Sequence, residues 1–348
     1  MKEAAAPASP FPAFWGWLRG MKLSSVMRWG GLLVFPILLA LGVDFGQVAR
    51  SIGNASPALV ITSFLVLQLM YVARAWRWQL FCEAAGIEGN SLARIYEIHF
   101  AGLFAGAALP QGAAPFTQVI FLSENGHSWR RGVLSVLADR AWETISMMLF
   151  AMIAAVYLWP TFPGLAAVVL AVGGSATAAL ILLVIFRSRL LTLGQNHLHR
   201  LPARVRKLVD RPELEYLGET LSRLRLRLPS LVSVSAIVLL GQMLSAVLLA
   251  EALSIELSPV YIAMGAALIG LMMMVPLTIN GLGAREGILV LMFSAAGAGR
   301  EEAISLGLLM LSINILSRLP GIIVWARGPK ATPLSEALGA WASTVWAR

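Results

Sequence analysis

Charge and cysteine are what this chain has least of. Only 13% of its 348 residues are charged, about half the share of an ordinary soluble domain. That scarcity excludes a water-soluble enzyme, a nucleic-acid-binding domain and a disordered chain. Cys82 is the one cysteine, so an intramolecular disulfide and a cysteine metal cluster are excluded. Histidine is scarce too, at His99, His127, His197 and His199. The last two lie two apart in a basic loop, where a solvated pair explains them better than a metal site. No metal and no cofactor is expected, and no Walker motif provides for ATP. The first 28 residues lack a signal peptide's order of basic region, apolar core and cleavage site.

What is present is apolar. Hydrophobic residues make up 58% of the chain and mean hydropathy is +0.77. Eight spans of about 20 residues would use about 160 positions, and the chain can supply them. The expected fold is therefore all-α: an uncleaved polytopic membrane protein with about eight spanning helices. Long apolar stretches place helices near 27–43, 57–76, 93–109, 132–158, 164–186, 231–253, 259–275 and 302–326. Residues 1–28, with Trp15 and Trp17, read as an interfacial segment. The tail 327–348 reads as a second, amphipathic one.

The +9 net charge is mostly a topology signal. Residues 187–229 hold ten Lys or Arg against four acids. With the N-terminus, residues 74–94, Arg130, Arg131 and the tail on the same side, 22 of the 27 basic residues lie in the cytoplasm. The positive-inside rule then puts both termini in the cytoplasm. The remaining five are Arg50, Arg140, Arg285, Arg300 and Arg318.

Two regions break the helical pattern in the same way. Pro110 and Gly112 precede a short stretch at 115–124, then Gly126 and a long helix carrying Arg140. Pro276 and Gly281 precede 284–296, then Gly297 and a long helix carrying Arg318. At about 1.5 Å per residue these short stretches cannot cross a 30 Å core. They read as two re-entrant or broken helices of an inverted repeat, spanning about 93–158 and 259–326. The alternative is that Pro and Gly merely kink ordinary spans.

Charges kept at membrane depth need a reason. Candidates are Glu97, His99, Asp139, Arg140, Glu143, Arg285, Glu286 and Arg318. Arg140 and Glu143 share a helix face and could simply pair. In the other reading the arginines line a cavity for an anionic headgroup, since a guanidinium offers phosphate a two-pronged fork. Asn280, Gly281 and Gly283 would let backbone approach a ligand, with the next helix's N–H groups beside Arg285 as an anion site. Thr117 and Gln118 would offer polar contacts in the first short helix, where Pro115 suits the first helical position. Gly102 and Gly106 suggest close helix packing. Ser123, Glu124 and His127 are close in sequence but read as loop residues rather than a nucleophilic triad.

These residues resemble the lysylphosphatidylglycerol synthase transmembrane, flippase-like family. The likeness runs from Pro276 through Arg285-Glu286 and Gly297 to Arg318-Leu319-Pro320-Gly321. It continues in Arg74-Ala75-Trp76-Arg77-Trp78, Leu109-Pro110 and Asp139-Arg140, and covers about 30–326. The resemblance implies a lipid-translocating fold in a bacterial inner membrane, with two re-entrant regions facing a central cavity. Many relatives carry an acidic residue and an arginine entering the first short helix, where this chain has Ala114-Pro115-Phe116-Thr117-Gln118. With only 22 residues after the last span, no aminoacyltransferase domain is expected. The function expected is translocation of an anionic phospholipid or lipid-linked headgroup. The alternatives are a membrane-embedded transferase using a lipid or polyprenyl-phosphate donor and a scaffold for lipid-synthesis enzymes. Expected partners are membrane lipids with anionic headgroups. A second copy of the chain and a separately encoded lipid-synthesis enzyme are further candidates, and nucleic acid is excluded.

Overall fold

The computed structural model describes residues 44–108, 114–124, 126–197, 219–220, 222–273 and 283–328. Among them the chain is helical and without strands. The helices are α1 (Phe45–Gly53), α2 (Pro57–Ala84), α3 (Leu92–Ala108), α4 (Ala114–Glu124), α5 (Trp129–Tyr157) and α6 (Pro163–His197). After these come α7 (Leu228–Ala252), α8 (Pro259–Met272), α9 (Ala284–Ala295), α10 (Arg300–Arg318) and α11 (Gly321–Arg327). Proline opens α2 and α8, at positions where a missing N–H costs nothing. Pro320 separates α10 from α11, as expected of a residue that cannot continue the helical ladder.

Apolar side chains are exposed and several charged ones buried, beside an apolar core. On α2 the exposed side chains Ile61, Leu65, Leu69, Val72 and Trp76 recur every three to four residues, forming one apolar stripe. Arg77, Asp139, Glu143, Arg285 and Glu286 are buried instead. An apolar exterior around charged groups is what a hydrocarbon solvent selects, and the chain is a membrane protein. Among the described residues, three helical segments are long and apolar enough to cross a bilayer: Pro57–Ala84, Leu228–Ala252 and Arg300–Arg327. The count of about eight spans reaches beyond these three. One reason is visible in α5, whose 29 residues carry Asp139, Arg140 and Glu143 near their middle.

Several boundaries differ from the sequence reading. α2 continues eight residues past the expected end at 76, because Arg77 is held inside the bundle rather than in a loop. α6 runs to His197, so Arg187 and Arg189 lie on a helix. α1 was not anticipated. The expected helix at 27–43, the N-terminal segment, most of the tail and both Pro/Gly breaks lie outside the described residues.

The helices are arranged as two hairpins around a central pair. α2 and α7 run antiparallel: Ser56 N–H donates to Ala252 O at 2.9 Å at one end, and Arg227 pairs with Glu83 at the other. Between these ends the Ser63 and Ser245 hydroxyls meet at 2.8 Å. α3 enters from the Glu83 end and α4 returns to it. The outer ends of that hairpin are joined by Asn90 Nδ2 and His127 Nε2 at 2.9 Å. α8 enters from the Ala252 end and α9 returns, with Tyr261 donating to Met292 O at 2.9 Å. The two hairpins thus enter from opposite ends of the bundle.

The principal helix contacts come in matched sets. α2 on α3 corresponds to α7 on α8, α4 on α5 to α9 on α10, and α1 on α10 to α6 on α5. Most tellingly, α8 packs on α5 of the first half while α3 packs on α10 and α11 of the second. Gly321 makes the second contact possible: a Cβ there would sit 2.2 Å from Phe100 O and 2.7 Å from Phe104 Cβ. No other residue lets two backbones approach this closely.

Candidate functional site

Two helices bring five charged residues together in the first half. Arg74 and Arg77 lie one turn apart on α2, and Asp139, Arg140 and Glu143 share α5. Arg77 Nε meets Asp139 Oδ1 at 2.8 Å and its Nη2 lies 3.5 Å from Glu143 Oε2. Arg140 Nη2 meets Asp139 Oδ2 at 2.8 Å and its Nη1 meets Glu143 Oε2 at 2.6 Å. Arg74 pairs with Glu143 as well. Three guanidinium groups therefore share two carboxylates, and the cluster carries one surplus positive charge. Arg77 is fully enclosed, while the Arg140 side chain keeps 34% of its surface.

α3 supplies a histidine neighbour. His99 is buried, and its Nδ1 lies 3.0 Å from Gln118 Nε2. That bond ties α3 to α4 and gives Gln118 a definite place, helped by Gly102. A Cβ on Gly102 would lie 2.8 Å from Gln118 Cγ. The expected close packing at Gly102 is thus packing against the Gln118 side chain. Thr117 is fully buried beside Gln118. The charges of Arg74, Arg140, Asp139 and Arg77 all act on the His99 imidazole, so hairpin and cluster form one polar interior. Several donors there have no hydrogen-bond acceptor among the described atoms: Arg74 Nε, Trp78 Nε1, His99 Nε2 and Arg140 Nε. Buried donors are normally satisfied.

The second half has a smaller cluster. Arg285 and Glu286 open α9 and are both buried, with Arg285 Nε 3.8 Å from Glu286 Oε1. Arg318 of α10 acts electrostatically on Arg285. Gly283 has φ +88°, a conformation in which glycine is at ease and side chains are strained. Its N–H donates to Glu286 Oε2 at 2.5 Å. The helix end expected to be open to an anion is thus partly capped from within. Gly307 of α10 leaves room for Glu286: a Cβ there would lie 3.0 Å from Glu286 Cγ. Asn280 and Gly281 lie outside the described residues.

Asp139, Arg140 and Glu143 thus come together as one group, and Arg285, Glu286, Gly283 and Arg318 as another. Arg74 and Arg77, counted in the sequence as cytoplasmic, belong to the first group. The signal for them was present: two arginines at i and i+3 share a helix face once the helix is extended to Ala84. Arg94 and Glu97 also pair inside the bundle, at 3.0 Å. Ser123 donates to Ile120 O at 3.0 Å and His127 pairs with Asn90, so both serve the loop. His127, outside the spanning segments, titrates below the usual imidazole range, because burial and the Arg131 charge both disfavour its cation.

No curated protein and no solved structure matches the chain. The model of the lysylphosphatidylglycerol synthase TM region does match, over residues 26–318. That stretch includes both charge clusters and both hairpins, and the chain belongs to this family.

Proposed function

We propose that the protein moves a lipid with an anionic headgroup between the leaflets of a bacterial inner membrane. The observation that carries this reading is the surplus cation of the α2–α5 cluster, held inside an apolar-surfaced bundle. A guanidinium without its own carboxylate is costly in hydrocarbon, and a passing phosphate offsets that cost with two-pronged hydrogen bonds. Arg140, at the accessible edge of the cluster, meets the headgroup, and Thr117 and Gln118 of the adjacent hairpin contact it. Arg285, Arg318 and the backbone at Gly283 form the second half's contact, with Asn280 and Gly281 in the break before it. Asp139, Glu143 and Glu286 hold the arginines in place.

The matched, oppositely entering hairpins support an inverted repeat, in which each end of the bundle opens in turn toward a shared interior. Arg130, Arg131, Arg223, Arg225 and Arg227 gather at the end where α2 finishes and α7 begins, which supports that end as cytoplasmic. The transferase alternative needs a carboxylate free to act as a base. Asp139 and Glu143 are ion-paired and Glu286 caps its helix, which weighs against it.

Reconstitution in liposomes tests the proposal. Wild-type protein should speed leaflet exchange of a labelled anionic phospholipid, and Arg140→Ala and Arg285→Ala should each slow it about tenfold or more. Both variants should elute as folded protein. No acceleration by wild type overturns the function, and unchanged exchange in both variants overturns the site.

A further inference from the structure

A second polar space lies away from the charge clusters, at the end of the bundle where α2 stops. It is a half-open cavity of about 270 Å³ lined by Gln79, Cys82 and Glu83 of α2, Ile87 to Asn90 of the following loop, Ile95 of α3, and Arg227 before α7. Its surroundings are basic, yet its own lining is not. Glu83 and Glu88 face one arginine, and Arg227 is already paired with Glu83. The Glu88 carboxylate has no ion-pair or hydrogen-bond partner among the described residues, and it is exposed at the rim.

Each amide lining the cavity has one N–H engaged elsewhere. Gln79 Nε2 donates to Asn90 O at 3.4 Å, and Asn90 Nδ2 is engaged with His127 Nε2. Their side-chain oxygens remain as acceptors. The cavity therefore offers acceptors and one uncompensated negative charge. One wall, built from Ile87, Ile95 and Cys82, is apolar.

Such a lining suits a cation that brings its own N–H donors and a short carbon chain. A metal ion fits poorly: among the described residues no group of three or more His, Cys, Asp or Glu converges, and the space is far larger than an ion needs. A quaternary ammonium fits poorly as well. It has no N–H to donate, and its usual recognition is an aromatic cage, whereas the residues lining this cavity include no aromatic ring. We propose that this cavity binds a primary ammonium group, with Glu88, Glu83 and the Gln79 and Asn90 oxygens accepting its hydrogens and Arg227 available to an accompanying phosphate. The group would come from an aminophospholipid headgroup in the adjacent leaflet or from a free amine in solution. The site is separate from the translocation path proposed above and does not depend on it.

The test uses purified full-length protein and calorimetric titration with glycerophosphoethanolamine, glycerophosphocholine and ethanolamine. Glycerophosphoethanolamine should bind, the choline compound at least about tenfold more weakly, and Glu88→Gln should weaken the ethanolamine compounds by about tenfold. Melting curves of the variant serve as the folding control. If Glu88→Gln is poorly folded, Gln79→Leu replaces it, with the same loss expected. Tighter binding of glycerophosphoethanolamine than of ethanolamine identifies a lipid headgroup as the source, and equal binding identifies a free amine. Equal affinity for the ethanolamine and choline compounds, binding unchanged in the folded variant, or no binding at all overturns the proposal.

Discussion

The two halves of the bundle share their helix contacts but not their electrostatics. In the first half, three arginines and two carboxylates from α2 and α5 interlock, and every member touches at least one other. In the second, Arg285 stands 3.8 Å from Glu286, and that carboxylate spends its other oxygen on Gly283 N–H. The same backbone plan thus supports a cross-linked charge network on one side and a helix cap beside an arginine on the other. Removing Asp139 from the network leaves three guanidinium groups to share one carboxylate, whereas removing the capping one mainly frees a helix end.

This contrast can be broken by substitution. Asp139→Asn should have the largest effect, about 3–5 kcal/mol of lost stability, read as a fall in the detergent-solubilised melting transition. Gly321→Ala should cost about 1–3 kcal/mol, since its Cβ would collide with the Phe100 carbonyl oxygen; the same transition reports it. Glu286→Ala should cost about 0.5–2 kcal/mol, the usual range for a lost cap. Were it to cost as much as Asp139→Asn, the difference between the halves would not hold.

The smallest effect expected is one of pH. His127 and Asn90 join the outer ends of the first hairpin, and Tyr261 joins those of the second. The imidazole is held below its usual range in the folded protein, so the unfolded chain binds the proton more readily. Its contribution to stability is present above about pH 6.5 and is lost as pH falls through the lower folded value. A tyrosine hydroxyl bonded to a carbonyl has nothing to titrate in that window. Mild acidification should therefore speed hydrogen exchange around 86–92 and 126–131, while 296–299 stays unchanged. Equal acceleration at both ends would contradict this assignment.

The membrane class and the candidate charges were legible in the sequence because charge is so scarce: each carboxylate or arginine inside an apolar run is conspicuous. The two short helices, α4 and α9, were also readable, since Pro and Gly punctuate helices locally. The partners were not. Whether Arg77 faces cytoplasm or Asp139 depends on where α2 ends and how it packs against α5, sixty residues away. The basic count favoured the solvent side, and tertiary packing overruled it. Glu286 illustrates the same limit at short range. In the sequence it reads as a group that positions the arginines, and only the backbone geometry at Gly283 shows that it also caps the helix.

The seat of Gly321 on Phe100 has a mechanical meaning. α3 belongs to the hairpin of one half and α11 to the closing segment of the other, and their backbones meet without a side chain between them to act as a cushion. α8 bears on α5 in the reciprocal sense. Under the proposed translocation, neither hairpin would swing without pushing the far end of the opposite half. Opening at one end of the bundle would then be converted into closing at the other.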